Sequence, residues 1–312
     1  MTPYFRNCLI AMGTLVLAGM VRMPMERGLT ADFREKGLLA KPVELATQKK
    51  LGQGFFAVTL GGLRSLVSTI HHLRAFAFFE EQKWDQVADT YDTIVQLSPH
   101  SPFYWDLGHW HMAYNAASHY QHDTDLPPMR ANAEWRKWVK KGTAFLEEGI
   151  RQNPDKPYLW KQLGWLYANP LKLTDYDKAA DAYHMAVMCS ENQHSPYLRR
   201  AEAYAVARSS RIDEALPLVR EVWEKELGNV PTLRGLRYAL EVRANPAVDR
   251  DSLISELFRD RRHAYKILSD YYLAQDDFPM DGVTSQLRKL EEEFEVPPNM
   301  SVFKLYEEIH GR

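Results

Sequence analysis

The stretch PYLWKQLGWLY, residues 157–167, sets Trp160, Leu163, Gly164 and Tyr167 at intervals of three, one and three. On a helix turning about 100° per residue these four share one face. Three are bulky and apolar, and the glycine leaves a gap between them. A second helix can then approach closest at the glycine while the flanking rings bury their area against it. A helix of this kind requires an antiparallel mate, so the pattern confines the chain to helical hairpins.

The pattern recurs behind similar breaks. Ser98-Pro99-His100-Ser101-Pro102, Asn153-Pro154-Asp155-Lys156-Pro157 and Ser195-Pro196 all place proline where a helix would start. There it sacrifices no hydrogen bond, and a preceding serine can cap free N–H groups. PYLRRAEAY from Pro196 is a close relative of the first stretch, and PFYWDLGHWH from Pro102 a looser one. From Arg64 onward apolar residues fall at three- and four-residue intervals, without alternating β-branched runs, which predicts an all-α fold.

The spacing W-x2-L-G-x2-Y is the first-helix signature of tetratricopeptide repeats, and the chain resembles that family. Tyr104, Leu107, Gly108 and His111 match one copy, and Trp160, Leu163, Gly164 and Tyr167 the next. A degenerate third keeps Tyr197, Ala201 and Tyr204 but has Arg200 where leucine is usual. Residues 84–99, with Trp84, Val87, Ala88, Tyr91, Ile94, Val95, Leu97 and Pro99, resemble the second helix. Residues 139–154, 176–191 and 212–227 lie on the same frame, and Thr174 to Asp177 reads as a capping box before the third of these four. VTLGGLRSLV and HMAYNAAS further resemble bacterial membrane-anchored repeat proteins without an assigned activity.

The resemblance implies a right-handed solenoid of helical hairpins: about four repeats over 64–230, then C-terminal helices over 231–312 forming a degenerate repeat or cap. Tyr104 and Trp160 are 56 residues apart and Trp160 and Tyr197 are 37 apart, against about 34 in the family. Inserts near 121–133 and 169–174 account for the excess. The family's geometry assigns Trp84, Tyr91, Tyr104, Gly108, Trp160, Leu163, Gly164, Tyr167 and Tyr204 to packing between helices. It assigns Trp105, His109, Met112, Lys161, Trp165, Asn169 and Glu202 to a groove that holds a protein or peptide partner. Only Lys161 and Asn169 align with the carboxylate-binding version of that groove.

Residues 8–21, CLIAMGTLVLAGMV, carry no charge and come after Arg6, as an apolar core comes after a basic start in export segments. Without an Ala-x-Ala end or a cysteine after it, the segment 1–25 reads as an uncleaved signal anchor inserted in the membrane. Arg22, Arg27, Arg34 and Lys36 favour a cytoplasmic C-terminal side, whereas short signal-like segments export the domain downstream of them, and the sequence leans towards that exported, periplasmic side. Residues 26–63 form a charged connector ending in GQGFFAVTLGGL, an apolar stretch suited to covering the first helix of the array.

Composition narrows the function. The chain has 39 Lys and Arg against 41 Asp and Glu with no long block of either sign, so it offers no electrostatic funnel for nucleic acid. Two cysteines, Cys8 and Cys189, build neither a disulfide framework nor a thiolate metal site within one chain. No Walker loop, G-x-S-x-G or dinucleotide fingerprint occurs, and nothing calls for a cofactor. His111, His119 and His122 share a helical face and would be the ligands of any metal, although no HExxH motif accompanies them. The basic patch Arg199, Arg200, Arg208 and Arg211 and the acidic run 291–293 read as solvated faces. The leading expectation is a membrane-anchored scaffold without enzymatic activity. The rivals are a metal-dependent or glycan-binding accessory enzyme using His111, His119 and His122, and a spacer that self-associates through helices such as 283–294.

Overall fold

The structure is a computed structural model that describes Gly28 and residues 64–189, 196–226, 230–274 and 277–311. The apolar segment 1–25 and, apart from Gly28, the connector 26–63 lie outside the described residues. Every regular element among the described residues is helical, so the described part of the chain is all-α. None of these helices is long and apolar enough to cross a membrane.

The chain divides into two compact units, Met1–Tyr104 and Trp105–Arg312. In the first, α1 (Arg64–Glu80) and α2 (Trp84–Leu97) form a hairpin. Its contacts run antiparallel: Phe79 meets Trp84 edge to face at 5.6 Å, His72 Nδ1 lies 3.1 Å from Tyr91 Oη, and the Ser68 and Ser98 hydroxyls are 2.8 Å apart. Trp84, Val87, Ala88, Tyr91, Ile94, Val95 and Leu97 are buried on α2, the positions read from the sequence. The outward face of α1 is apolar as well, with Leu66, Ile70, Leu73 and Phe76 each more than half exposed.

Helix α3 (Pro102–Trp110) begins in the first unit. In the second it runs on through one π-helical turn (His111–Ala116) into α4 (Ala117–Gln121). Helix α5 (Pro128–Gln152) returns alongside. Then come α6 (Pro157–Ala168), α7 (Tyr176–Cys189), α8 (Pro196–Val206), α9 (Ala215–Glu226) and α10 (Pro231–Ala244). The remainder is α11 (Arg250–Leu257), α12 (Arg261–Ala274), α13 (Val283–Glu293) and α14 (Val302–His310). Proline opens α3, α5, α6, α8 and α10, as its fixed φ and missing N–H allow. Consecutive helices from α6 to α10 pack against one another. One core runs from α7 to α14 through Tyr183, Val219, Leu236, Leu268, Leu287 and Val302.

Residues 121–133 comprise the end of α4, the loop 122–127 and the first turns of α5. The 169–174 segment is a loop held by Asn169, whose side chain accepts from Leu171 N and whose carbonyl accepts from Lys172 N. The cap of α7 falls one residue later than the sequence pattern places it. Asp175 Oδ1 accepts from Lys178 N at 3.1 Å, and the Thr174 hydroxyl donates instead to Asn169 O. A carboxylate outcompetes a hydroxyl for the free amides of a helix start because those amides carry partial positive charge.

Candidate functional site

The notch at Gly164 is filled from α7. An added Cβ at Gly164 would lie 2.9 Å from two ring carbons of Tyr183, whose ring is buried. Leu163 is buried, and Trp160 packs on Ala186, Val187 and Leu198 while its indole N–H donates to Pro154 O. Tyr167 lies against the α7–α14 core and donates to Glu147 at 2.7 Å. Tyr204 packs edge to face on Phe278 at 5.3 Å, and in the first unit Tyr104 lies 5.8 Å from the His72 ring.

Helix α3 presents a different face from the one aligned on Tyr104, Leu107, Gly108 and His111. Its buried positions are Trp105, Gly108, His109, Met112, Ala113, Ala116 and Ala117, one residue later. Two hollows on α5 impose this. A Cβ at Gly149 would meet the Trp105 ring at 2.7 Å, and one at Gly142 would meet Ala113 N at 2.6 Å. The indole, the larger ring, takes the Gly149 hollow and fixes the rotation of the helix. A four-residue period then continues for three turns, which an α-helix of 3.6 residues per turn cannot sustain without drifting off the face. The π turn, marked by Ala117 N donating to Met112 O, adds the missing fraction and keeps the stripe on α5.

This rotation corrects part of the expected groove. Trp105, His109 and Met112 are 4%, 1% and 1% exposed rather than on an open surface, Trp105 against Gly149 and Phe145 of α5 and His109 beside Asp106. Glu202 is buried too, bound by His184 Nδ1 at 2.8 Å and Arg199 Nη1 at 2.8 Å. In α8 the buried set is Leu198, Glu202, Ala203, Ala205 and Val206, and Tyr197 is 55% exposed, again one residue out of the aligned phase. Lys161 and Asn169 are half-buried and Trp165 is half-exposed, so these three remain at the surface.

The same rotation brings forward residues that the motif does not mark. Trp110 stacks on Tyr114 with centroids 4.2 Å apart and lies 6.3 Å from Trp165. Tyr114 is held by the Asn169 side chain and carries the Lys172 ammonium 4.7 Å from its ring. Burial and the nearby Asp106 charge raise the Tyr114 phenol against the Asn169 hydrogen bond, and burial lowers Lys172. Further along, the Lys161 ammonium sits 4.8 Å over Tyr158.

Between α3 and α6 these rings rest on a polar joint. Asp106 accepts from Tyr158 Oη at 2.5 Å and from Gln162 Nε2 at 2.8 Å. Burial, then the bond to Asp106, pushes the Tyr158 phenol up to about 12. His109 Nδ1 lies 3.5 Å from Asp106 Oδ1, but burial outweighs that carboxylate and lowers the imidazole. It is a neutral ring wedged in the joint, since a buried cation would need a better-placed counter-charge.

Among the described residues no three His, Cys, Asp or Glu side chains are grouped to share a metal ion. His111 Nδ1 is 3.0 Å from the Asn115 amide, and His122 turns its Nδ1 to Ser118 O. The basic patch is spent on internal contacts: Arg199 with Glu202, Arg200 with Glu226, Arg211 with Asp181, and Arg208 over Tyr176 and Phe278. Of the acidic run, Glu291 accepts from Val302 N and Tyr265 Oη. The apolar side of α13, Val283, Leu287 and Leu290, is buried within its own chain. No protein-family model matches the sequence, and no curated protein matches it significantly.

Proposed function

We propose that the chain is a scaffold of tetratricopeptide type, tethered to a membrane by its N-terminal apolar segment, that holds a protein or peptide segment on the α3–α6 face. Four features support the repeat assignment: hairpins opened by proline, the Gly164 notch filled by Tyr183, the buried α2 signature, and the succession of packed neighbours from α6 to α10. On this reading the helices of the second unit form a right-handed solenoid whose first helices line one side.

The observation that carries the docking role is the Trp110–Trp165 pair. Two neighbouring indoles, 36% and 50% exposed, stand on adjacent helices, with Tyr114 stacked behind and lysines at either end. Exposed tryptophan clusters of this sort mark interfaces, because Trp is among the side chains that contribute most when buried against a partner. No comparable observation supports a metal-dependent reaction at His111, His119 and His122, or self-association through α13.

The test is photo-crosslinking in cells with benzoylphenylalanine at position 165 and, as control, at exposed Arg136 on α5. A discrete adduct at 165 and none at 136 is expected. Equal trapping at both, or none at 165, overturns the assignment of this face.

A further inference from the structure

Lys161 and Lys172 both stand at this face. Each lies over an aromatic ring, Tyr158 or Tyr114, and neither makes an ion pair among the described residues. Elsewhere in the unit several cations set between helices are paired, Arg199 with Glu202 at 2.8 Å, Arg211 with Asp181 at 2.8 Å and Arg220 with Glu241 at 2.5 Å, while Arg208 and Arg234, which also lie over rings, donate to the carbonyls of Tyr204 and Leu257. The adjoining carboxylate, Asp106, is taken up by Tyr158 and Gln162. The strip therefore has an ammonium without an ion pair at each end and exposed indoles between, with the Asp106 carboxylate held beneath them by neutral donors. A half-buried ammonium such as Lys172 has lost part of its hydration with no carboxylate in return.

We propose that the segment held on the α3–α6 face carries two side-chain carboxylates flanking an aromatic or proline residue, one carboxylate for Lys161 and one for Lys172. This rests on the docking function proposed above. The spacing is set by α6. Lys161 to Ala168 rises about 10 Å at 1.5 Å per residue, and the Asn169 loop carries Lys172 beyond the helix end. An extended peptide covers that span in about three to four residues. Two separated ammoniums call for two separated carboxylates rather than one chain terminus. The indoles between them suit a flat apolar side chain. A nucleic acid strand is a poor fit, because it presents a phosphate at every residue to a surface with two free ammoniums on a chain of net charge −2.

The experiment is selection of random twelve-residue peptides displayed with their C-termini fused, so that no terminal carboxylate is offered, on the purified full chain in detergent. Binding of synthetic capped winners is then measured by anisotropy. The expected winners carry Asp or Glu three to four residues apart around Trp, Tyr, Phe or Pro. Lys161→Glu or Lys172→Glu weakens them about tenfold, and Lys140→Glu on α5 leaves them unchanged. Raising the salt to 1 M also weakens them, because the charges lie at the rim. Winners without acidic residues, or acidic winners indifferent to both reversals, overturn this inference while a loss on Trp165→Ala keeps the docking face. Winners indifferent to Trp165→Ala, or no winners, overturn the docking face and this inference together.

Discussion

Replacing Gly164 by alanine sets two effects of known size against each other. Alanine in a helix interior is favoured over glycine by about 1 kcal/mol. The new Cβ, however, would stand 2.9 Å from Cδ1 and Cε1 of Tyr183 and 3.0 Å from Cγ, closer than carbon atoms approach without displacement. Moving the ring costs packing, because Tyr183 is buried in the same cluster as Ala179, Ala180, Ala203 and Val206. Overpacking of this kind costs about 2 kcal/mol, so Gly164→Ala should destabilise by about 1 kcal/mol, a fall in Tm of about 2–4 °C for a unit of this size. In a Tyr183→Leu background the clash goes and the helix gain stays. The same substitution should then stabilise by about 1 kcal/mol, a coupling of about 2 kcal/mol. Urea titrations monitored by circular dichroism, with unchanged m-values, measure all four corners of the cycle. Stabilisation in the parent chain, or an equal effect in both backgrounds, would refute the close approach of α7 at this glycine.

Gly149→Ala should likewise destabilise despite its better helix propensity, since its Cβ would enter the Trp105 ring at 2.7 Å, and thermal melting checks the sign. Asp106→Ala removes the acceptor of Tyr158 and Gln162 and should cost about 1–3 kcal/mol in urea denaturation, with Asp106→Asn recovering part of it. Trp165→Ala should change stability by less than about 0.5 kcal/mol while weakening the capped peptides at least about tenfold in the anisotropy assay. Arg220, with Arg237, overcomes the burial that by itself would raise Glu241, and holds its carboxyl below the usual 4.5. A carboxylate depressed in the folded state contributes stability above its unfolded pKa and loses it as pH falls through the folded one. Glu241→Gln should therefore destabilise at pH 7 and matter progressively less as pH drops below 4.5, measured by urea titrations across that range.

Much of the local structure was legible in the sequence because it depends on neighbours along the chain. Proline at Pro102, Pro157 and Pro196 starts a helix wherever the rest of the molecule lies, and the apolar stripe of residues 84–97 repeats at helical intervals. Gly164 was legible for the same reason, its gap lying between Trp160, Leu163 and Tyr167 on one short helix. The candidate site was legible only in part. Lys161, Trp165 and Asn169 were placed at the surface by the same α6 register, whereas Trp105, His109, Met112 and Glu202 were assigned to a face that the structure buries.

The sequence by itself determined that this chain is helical, where its helices begin, and which residues surround the notch on α6. Only the tertiary structure decided how α3 is rotated, because that choice belongs to α5. Gly142 and Gly149, more than thirty residues downstream of Trp105, offer the hollows that Ala113 and Trp105 fill, and the π turn holds the phase. One residue of rotation is about 100°, enough to send Trp105 and Met112 into the core and to bring Trp110 and Tyr114 beside Trp165.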